Sequence, residues 1–164
     1  MADLSDIITS KVRIKILELF LSVATEMYHV RGIVREIQEE INAVRRELER
    51  LEKAGILKKE SRGNRLYYFL RADHSLFGDL LSMVAKTKGL GREVIENKNK
   101  IGRLSYVMFS GKFVRRRRRK KDDDVDILVV GDVVLPELAS IIRKEESKRG
   151  SEINYTVMSK AEYD

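Results

Sequence analysis

Residues 41–70 read INAVRRELERLEKAGILKKESRGNRLYYFL, and the periodicity of the stretch changes once. Over 41–53 the apolar residues Ile41, Val44, Leu48 and Leu51 recur at helical spacing, with Ile56 following after a glycine. Asn42, Arg46, Arg50 and Lys53 occupy the opposite side, and Ala54-Gly55 stops the helix. Two short strands are expected next, at 56–61 and 65–70. They meet at Arg62-Gly63-Asn64, where Gly and Asn supply the positive φ that a tight hairpin requires. The stretch is a helix that runs directly into a basic hairpin.

Toward the amino terminus, Ser10 stands where a side-chain cap is needed for a helix over 11–24. Its Val12, Ile16, Leu19, Phe20 and Val23 share one face, with Lys11, Lys15 and Glu18 outside. Met27-Tyr28-His29-Val30 is short and apolar, and is expected to pair with the hairpin as a third strand. Residues 31–38 place Ile33, Val34 and Ile37 at helical spacing, although Gly32 weakens the helix. The resulting order is helix, strand, helix, helix, strand, strand.

That order, with a tight connection between its second and third helices, is the outline of a winged helix-turn-helix. SKVRIKILELF at 10–20, followed by the run from Tyr28 to the YYFL at 67–70, resembles winged-helix regulators of the arsenic-repressor type. Their pattern is Leu-x-x-Leu, then Ala-Gly-Ile/Leu at the end of the recognition helix, then a hairpin closing on Tyr-Tyr. The resemblance covers roughly residues 5–88. It implies that 41–53 enters the major groove of double-stranded DNA and that 62–65 reach the backbone or minor groove. Part of that family senses metals through a Cys or His cluster. The chain has no Cys, so metal sensing is not carried over.

The candidate DNA-binding residues are Asn42, Ala43, Arg45, Arg46 and Arg50 on the helix, with Lys58, Arg62, Asn64 and Arg65 in the hairpin. Asn pairs well with the adenine edge and Arg with guanine, and the remaining cations can neutralise phosphates with counterion release. Glu47, Glu49 and Glu52 interrupt the charge and lie at i,i+3 or i,i+4 from Arg46, Arg50 and Lys53. A solvated face laced with ion pairs is therefore the competing reading of the helix, and the basic hairpin favours DNA. Lys58 and Lys59 point to opposite faces of their strand, so at most one faces DNA. A helix over 75–88 carries Leu76, Leu80, Met83 and Val84, with Phe77 alongside. This stripe serves either a two-fold homodimer or cover for the first helix within one chain.

Composition agrees with these readings. The chain has 164 residues, of which 43% are hydrophobic, and no stretch reaches the length of a membrane span. The start MADLSDIITS lacks the features of a signal peptide, so a cytoplasmic location and no membrane partner are expected. Zero Cys and two His remove disulfides and make a zinc site unexpected. A net charge of +7 and a pI of 9.6 favour polyanionic partners, although 36% charged residues also suit a heat-tolerant surface.

Lys88-Gly89-Leu90-Gly91 reads as a flexible join and 92–100 is polar. Three segments are therefore expected: a DNA-binding domain with its dimerisation helix at 1–88, a linker or connecting helix at 89–103, and a further domain at 104–164. The last shows strands at 105–109, 125–130 and 153–158, a loop at 110–124 and a helix at 135–148, the alternation of a small α/β unit. Asp124-Val125-Asp126 at a strand start puts two carboxylates on one face, an arrangement that holds a divalent metal over phosphates.

FSGKF at 109–113, together with DDDVDILVVG at 122–131, resembles the minimal nucleotidyltransferase domain of the polymerase-beta superfamily. That family has Gly-Ser after its first strand, Asp-x-Asp on its second and a further Asp on a later strand. The resemblance spans about 104–158. It implies Gly111 and Lys112 as nucleotide-binding candidates, and Asp124 and Asp126 as catalytic and metal candidates. Lys112 stands where the Ser is expected and Asn154 where the third Asp is expected. Asn can neither act as a carboxylate base nor carry the charge that a second metal needs. A phosphate-binding loop would require Gly at 106 and Ser or Thr at 113, but the chain has Tyr106 and Phe113. Residues 115–121 are seven consecutive basic residues, followed by Asp122, Asp123 and Asp124. A solvated loop is favoured there over a second, sequence-independent nucleic-acid contact.

The expected class is α+β, an N-terminal winged helix-turn-helix followed by a small α/β nucleotidyltransferase-like domain. The expected function is transcriptional regulation through double-stranded DNA. The second domain, without activity, would serve sensing of a nucleotide or small-molecule effector, or assembly. The alternative is an active nucleotidyltransferase using Asp124 and Asp126 and targeted by its winged helix. No cofactor is required in the first reading, and Mg2+ is required in the second.

Overall fold

The computed structural model describes residues 3–22, 26–115 and 124–164. The chain mixes helices with two three-stranded sheets and divides into two compact units, Met1–Val84 and Ala85–Asp164. Among the described residues, no helix is long and apolar enough to cross a membrane.

The first unit begins with a 3-10 turn, Leu4–Asp6, and continues through α1 (Lys11–Ser22), β1 (Met27–His29), α2 (Val30–Ile37) and α3 (Ile41–Lys53). The hairpin β2 (Leu57–Arg62) and β3 (Arg65–Leu70) follows, and α4 (Phe77–Thr87) starts within the unit. Side-chain caps set where the helices begin. The Ser10 hydroxyl accepts the Arg13 N–H, His29 Nδ1 accepts that of Gly32, and the Glu40 carboxylate accepts that of Ala43. The His29 cap also explains why α2 starts at Val30, which had been expected to extend the strand. Val23 and Ala24, expected at the end of the first helix, lie outside the described residues.

The sheet is antiparallel in the order β1-β3-β2. Gly63 turns the hairpin at φ 60°, a conformation that a Cβ disfavours. In this register Leu57, Lys59 and Ser61 lie opposite Leu70, Tyr68 and Leu66 on one face. Lys58, Glu60 and Arg62 lie opposite Phe69, Tyr67 and Arg65 on the other. The core gathers Ile16, Phe20, Ile33, Val44, Leu48, Leu57 and Tyr68, and Phe77 and Val84 of α4 join it. Glu47 departs from expectation. It is 6% exposed, because positions 44, 47, 48 and 51 form one continuous arc of α3 that turns inward.

The second unit contains α5 (Gly89–Glu96), α6 (Lys98–Ile101), β4 (Gly102–Phe109), α7 (Gly111–Val114) and β5 (Ile127–Val133). It ends with α8 (Leu135–Arg149), β6 (Tyr155–Met158) and α9 (Lys160–Tyr163). β5 lies between β4, antiparallel to it, and β6, parallel to it, with α8 making the crossover. The core holds Leu90, Val94, Ile101, Ile127, Val129, Leu138 and Ile142.

Residues 89–103, expected as a linker or connecting helix, are thus largely helical and contribute three core side chains, and α5 begins within 88–91, the expected flexible join. Gly91 shows why the glycines misled. It lies inside α5, and a Cβ there would come 1.9 Å from the Ala85 carbonyl oxygen, so its role is close packing and not flexibility. The middle strand starts at Ile127, later than expected, so Asp124 and Asp126 precede it and the alternation of a strand does not orient them.

Candidate nucleic-acid interface and carboxylate cleft

Burial of Val44, Leu48 and Leu51 fixes α3 against the first core and leaves Asn42, Arg45, Arg46 and Arg50 exposed. Ala43 is half-buried, and its backbone is occupied by the Glu40 cap. Backbone N–H groups of Asn42 and Ala43 hold the Glu40 carboxyl below its usual range, so the helix start carries a firm negative charge. Arg50 is not a loose cation. Its Nη1 lies 3.0 Å from Glu47 Oε1, while Arg13 Nε lies 2.7 Å from Oε2 of the same carboxylate. Burial pushes the Glu47 carboxyl up, but hydrogen bonds from Arg13 and Ser10 and the charges of Arg13 and Arg50 outweigh it and keep it low.

The hairpin sorts in the same way. Lys59 pairs with Glu52 at 3.3 Å, and Arg62 Nε with Glu60 at 3.0 Å. Lys58 and Lys59 take opposite faces as expected, and both are exposed. Arg62 and Arg65 stand directly opposite each other beside the turn, a like-charge pairing that costs stability unless an anion lies nearby. Asn64 is exposed in the turn. Arg45, Arg46, Lys58 and Arg65 make no ion pair among the described residues. Net charge does not explain this surface, because the first unit has fourteen Lys and Arg against thirteen Asp and Glu. Most of the +7 belongs to the second unit. The basic surface of the first unit comes from which cations lack carboxylate partners.

In the second unit, Ser110 caps α7 by accepting the Phe113 N–H, and the buried Phe113 ring stacks on Phe109. The Arg149 guanidinium lies 3.9 Å over the Phe113 ring, donates to the Phe113 carbonyl and pairs with the buried Glu145. This anchoring directs Gly111 and Lys112 to a cleft of about 380 Å³ lined also by Ser110, Arg115, Asp124 and Val125. Lys112 Nζ donates to Asp124 Oδ2 at 2.5 Å.

Asp126 is 6% exposed and lines a neighbouring recess of about 320 Å³ with Met108, Leu128, Thr156 and Met158. Its carboxylate accepts the Asn154 N–H at 3.0 Å, and its own N–H donates to the Asn154 carbonyl at 2.8 Å. The Asn154 amide nitrogen donates to the Asp124 carbonyl at 3.4 Å. Asp124 and Asp126 thus line different recesses. With Asp124 held by an ammonium, Asp126 by a backbone N–H, and no trio of His, Cys, Asp or Glu gathered among the described residues, this cleft does not fit a divalent metal. Residues 116–121 of the basic run, with Asp122 and Asp123, lie outside the described residues.

The burial of Glu47 and the parts played by Arg13 and Arg149 escaped the sequence reading. Glu47 was legible, since it falls on the inward arc between Val44 and Leu51. Arg13 and Arg149 were not, because their partners are 34 and 36 residues away. The chain matches no known protein family, no curated protein and no solved structure.

Proposed function

We propose that the chain is a sequence-specific, double-stranded-DNA-binding transcriptional regulator of the winged helix-turn-helix kind. In this reading α3 enters the major groove, and the β2–β3 hairpin contacts the backbone or minor groove. The observation that carries it is that Arg45, Arg46, Lys58 and Arg65, on a helix and hairpin held by a common core, are exposed and make no ion pair among the described residues. An exposed cation with no carboxylate partner is ready for a phosphate, whereas one already paired must first give up its partner.

Pairing into a homodimer through α4 accompanies this reading. Leu76, just before the helix, is 52% exposed, and Leu80 and Met83 remain half-buried against the first core. A two-fold pair reads a palindrome. The second unit then serves effector sensing or assembly, and the protein acts in the cytoplasm without Mg2+. Selection of bound duplexes from a random pool tests the proposal. Enrichment of a palindromic sequence is the expected result, and recovery of an unenriched pool at physiological salt overturns it.

A further inference from the structure

We infer that Lys112 is a built-in cation, its ammonium taking the place at Asp124 that a divalent metal takes in nucleotidyltransferase-like sites. This rests on the transferase-like reading of the second unit and is independent of DNA binding. Lys112 is no loosely placed surface lysine. It sits in α7, whose next residue, Phe113, is buried beneath Arg149 and whose first turn is capped by Ser110. That anchoring sets the ammonium on Asp124 Oδ2 at 2.5 Å, at the wall of a cleft of about 380 Å³ that has room for a hydrated ion.

A hard divalent cation binds through one or two carboxylates while keeping several waters. Here the carboxylate it would use is already neutralised by a tethered positive charge, and Arg115 lines the same cleft. A metal therefore has to displace Lys112 and meets a second cation as it approaches. With Ser in place of Lys112, the cleft would keep the Asp124 carboxylate and carry a neutral hydroxyl on α7 in place of the ammonium. These are the oxygen donors that such an ion prefers. Lys112 thus stands between Asp124 and an entering metal, and an anionic ligand bound there meets the Lys112 ammonium and not a metal bridge.

Manganese(II) is the probe, with free ion counted by electron paramagnetic resonance on the full chain. The wild type and Lys112→Arg should take up no Mn2+ that depends on Asp124. Lys112→Ser should gain one equivalent, bound on the order of tenfold or more tightly than by the wild type, as expected for removing a unit charge about 4–5 Å away. The added change Asp124→Asn should abolish that uptake. Lys112 has a 40% exposed side chain, so its replacement leaves the core intact, and circular dichroism checks this. Uptake by the wild type that Asp124→Asn removes, or a Lys112→Ser protein no better than wild type, overturns the inference. Neither result bears on duplex selection, so failure here and failure of the regulatory reading are distinguishable.

Discussion

Replacing Arg46 by alanine should remove one full phosphate contact from the proposed DNA complex, whereas replacing Arg62 should remove less than one. Arg46 is exposed on α3 and makes no ion pair among the described residues, so all of its charge is available to the duplex. Each phosphate neutralised on B-DNA releases about 0.9 counterion, so Arg46→Ala should flatten the plot of log affinity against log salt by about 0.9. At roughly 0.1 M salt that release corresponds to about eightfold weaker binding. Arg62 starts from a different state, since its Nε lies 3.0 Å from Glu60 Oε1 and that contact must open before a phosphate can take its place. Exposed pairs of this kind contribute little, so the exchange is feasible but lowers the net gain, and Arg62→Ala should weaken binding only about two- to fourfold. Fluorescence anisotropy with a labelled selected duplex, titrated between about 50 and 200 mM KCl, measures both affinity and slope. An Arg46→Ala protein that keeps the wild-type slope, or an Arg62→Ala loss larger than that of Arg46→Ala, refutes the reasoning.

Three further outcomes follow from the packing. Leu48→Ala empties a fully buried site in the first core and should cost about 2–5 kcal/mol, read from the urea midpoint of the transition that includes α3. Gly91→Ala forces a Cβ to 1.9 Å from a backbone oxygen; it should destabilise the second unit by more than about 4 kcal/mol, seen as an early thermal transition. The lowered Glu47 carboxyl contributes stability that is present in full above its unfolded value near 4.5 and is lost as pH falls through its lower folded value. Glu47→Gln should therefore be less stable than wild type at pH 7, with the gap narrowing below pH 4.5. An unchanged gap in urea melts at the two pH values counts against the Arg13–Glu47–Arg50 network.

Much of the first unit was legible in the chain because its signals are local. The apolar period of 41–53, stopped by Ala54-Gly55, marks the observed α3, and Arg65–Leu70 folds as the expected strand. Boundaries moved by a residue or two where a cap decided them, as at His29. The second unit was harder. Gly89 and Gly91 weigh against a helix by propensity, yet Leu90, Val94 and Ile101 fall into one core, and packing overrides the local preference. The candidate interface was legible as a list of cations, but their pairing was not, because Arg13 and Glu47 meet across 34 residues.

The sequence by itself determined the order of elements in the first unit, the position of α3 and its hairpin, and the presence of Asp124 and Asp126 with Lys112 and Asn154. Those features depend on hydrophobic period, turn chemistry and residue identity, each read within a few positions. Tertiary structure alone decided which charges are spent. It turned Glu47 inward to hold Arg13 and Arg50, left Arg45, Arg46, Lys58 and Arg65 without ion pairs among the described residues, and set Lys112 on Asp124 while Asn154 engaged Asp126. The physical reason is that a charge–charge contact acts over a few ångströms of space, and only folding brings residues that are distant along the chain within that range.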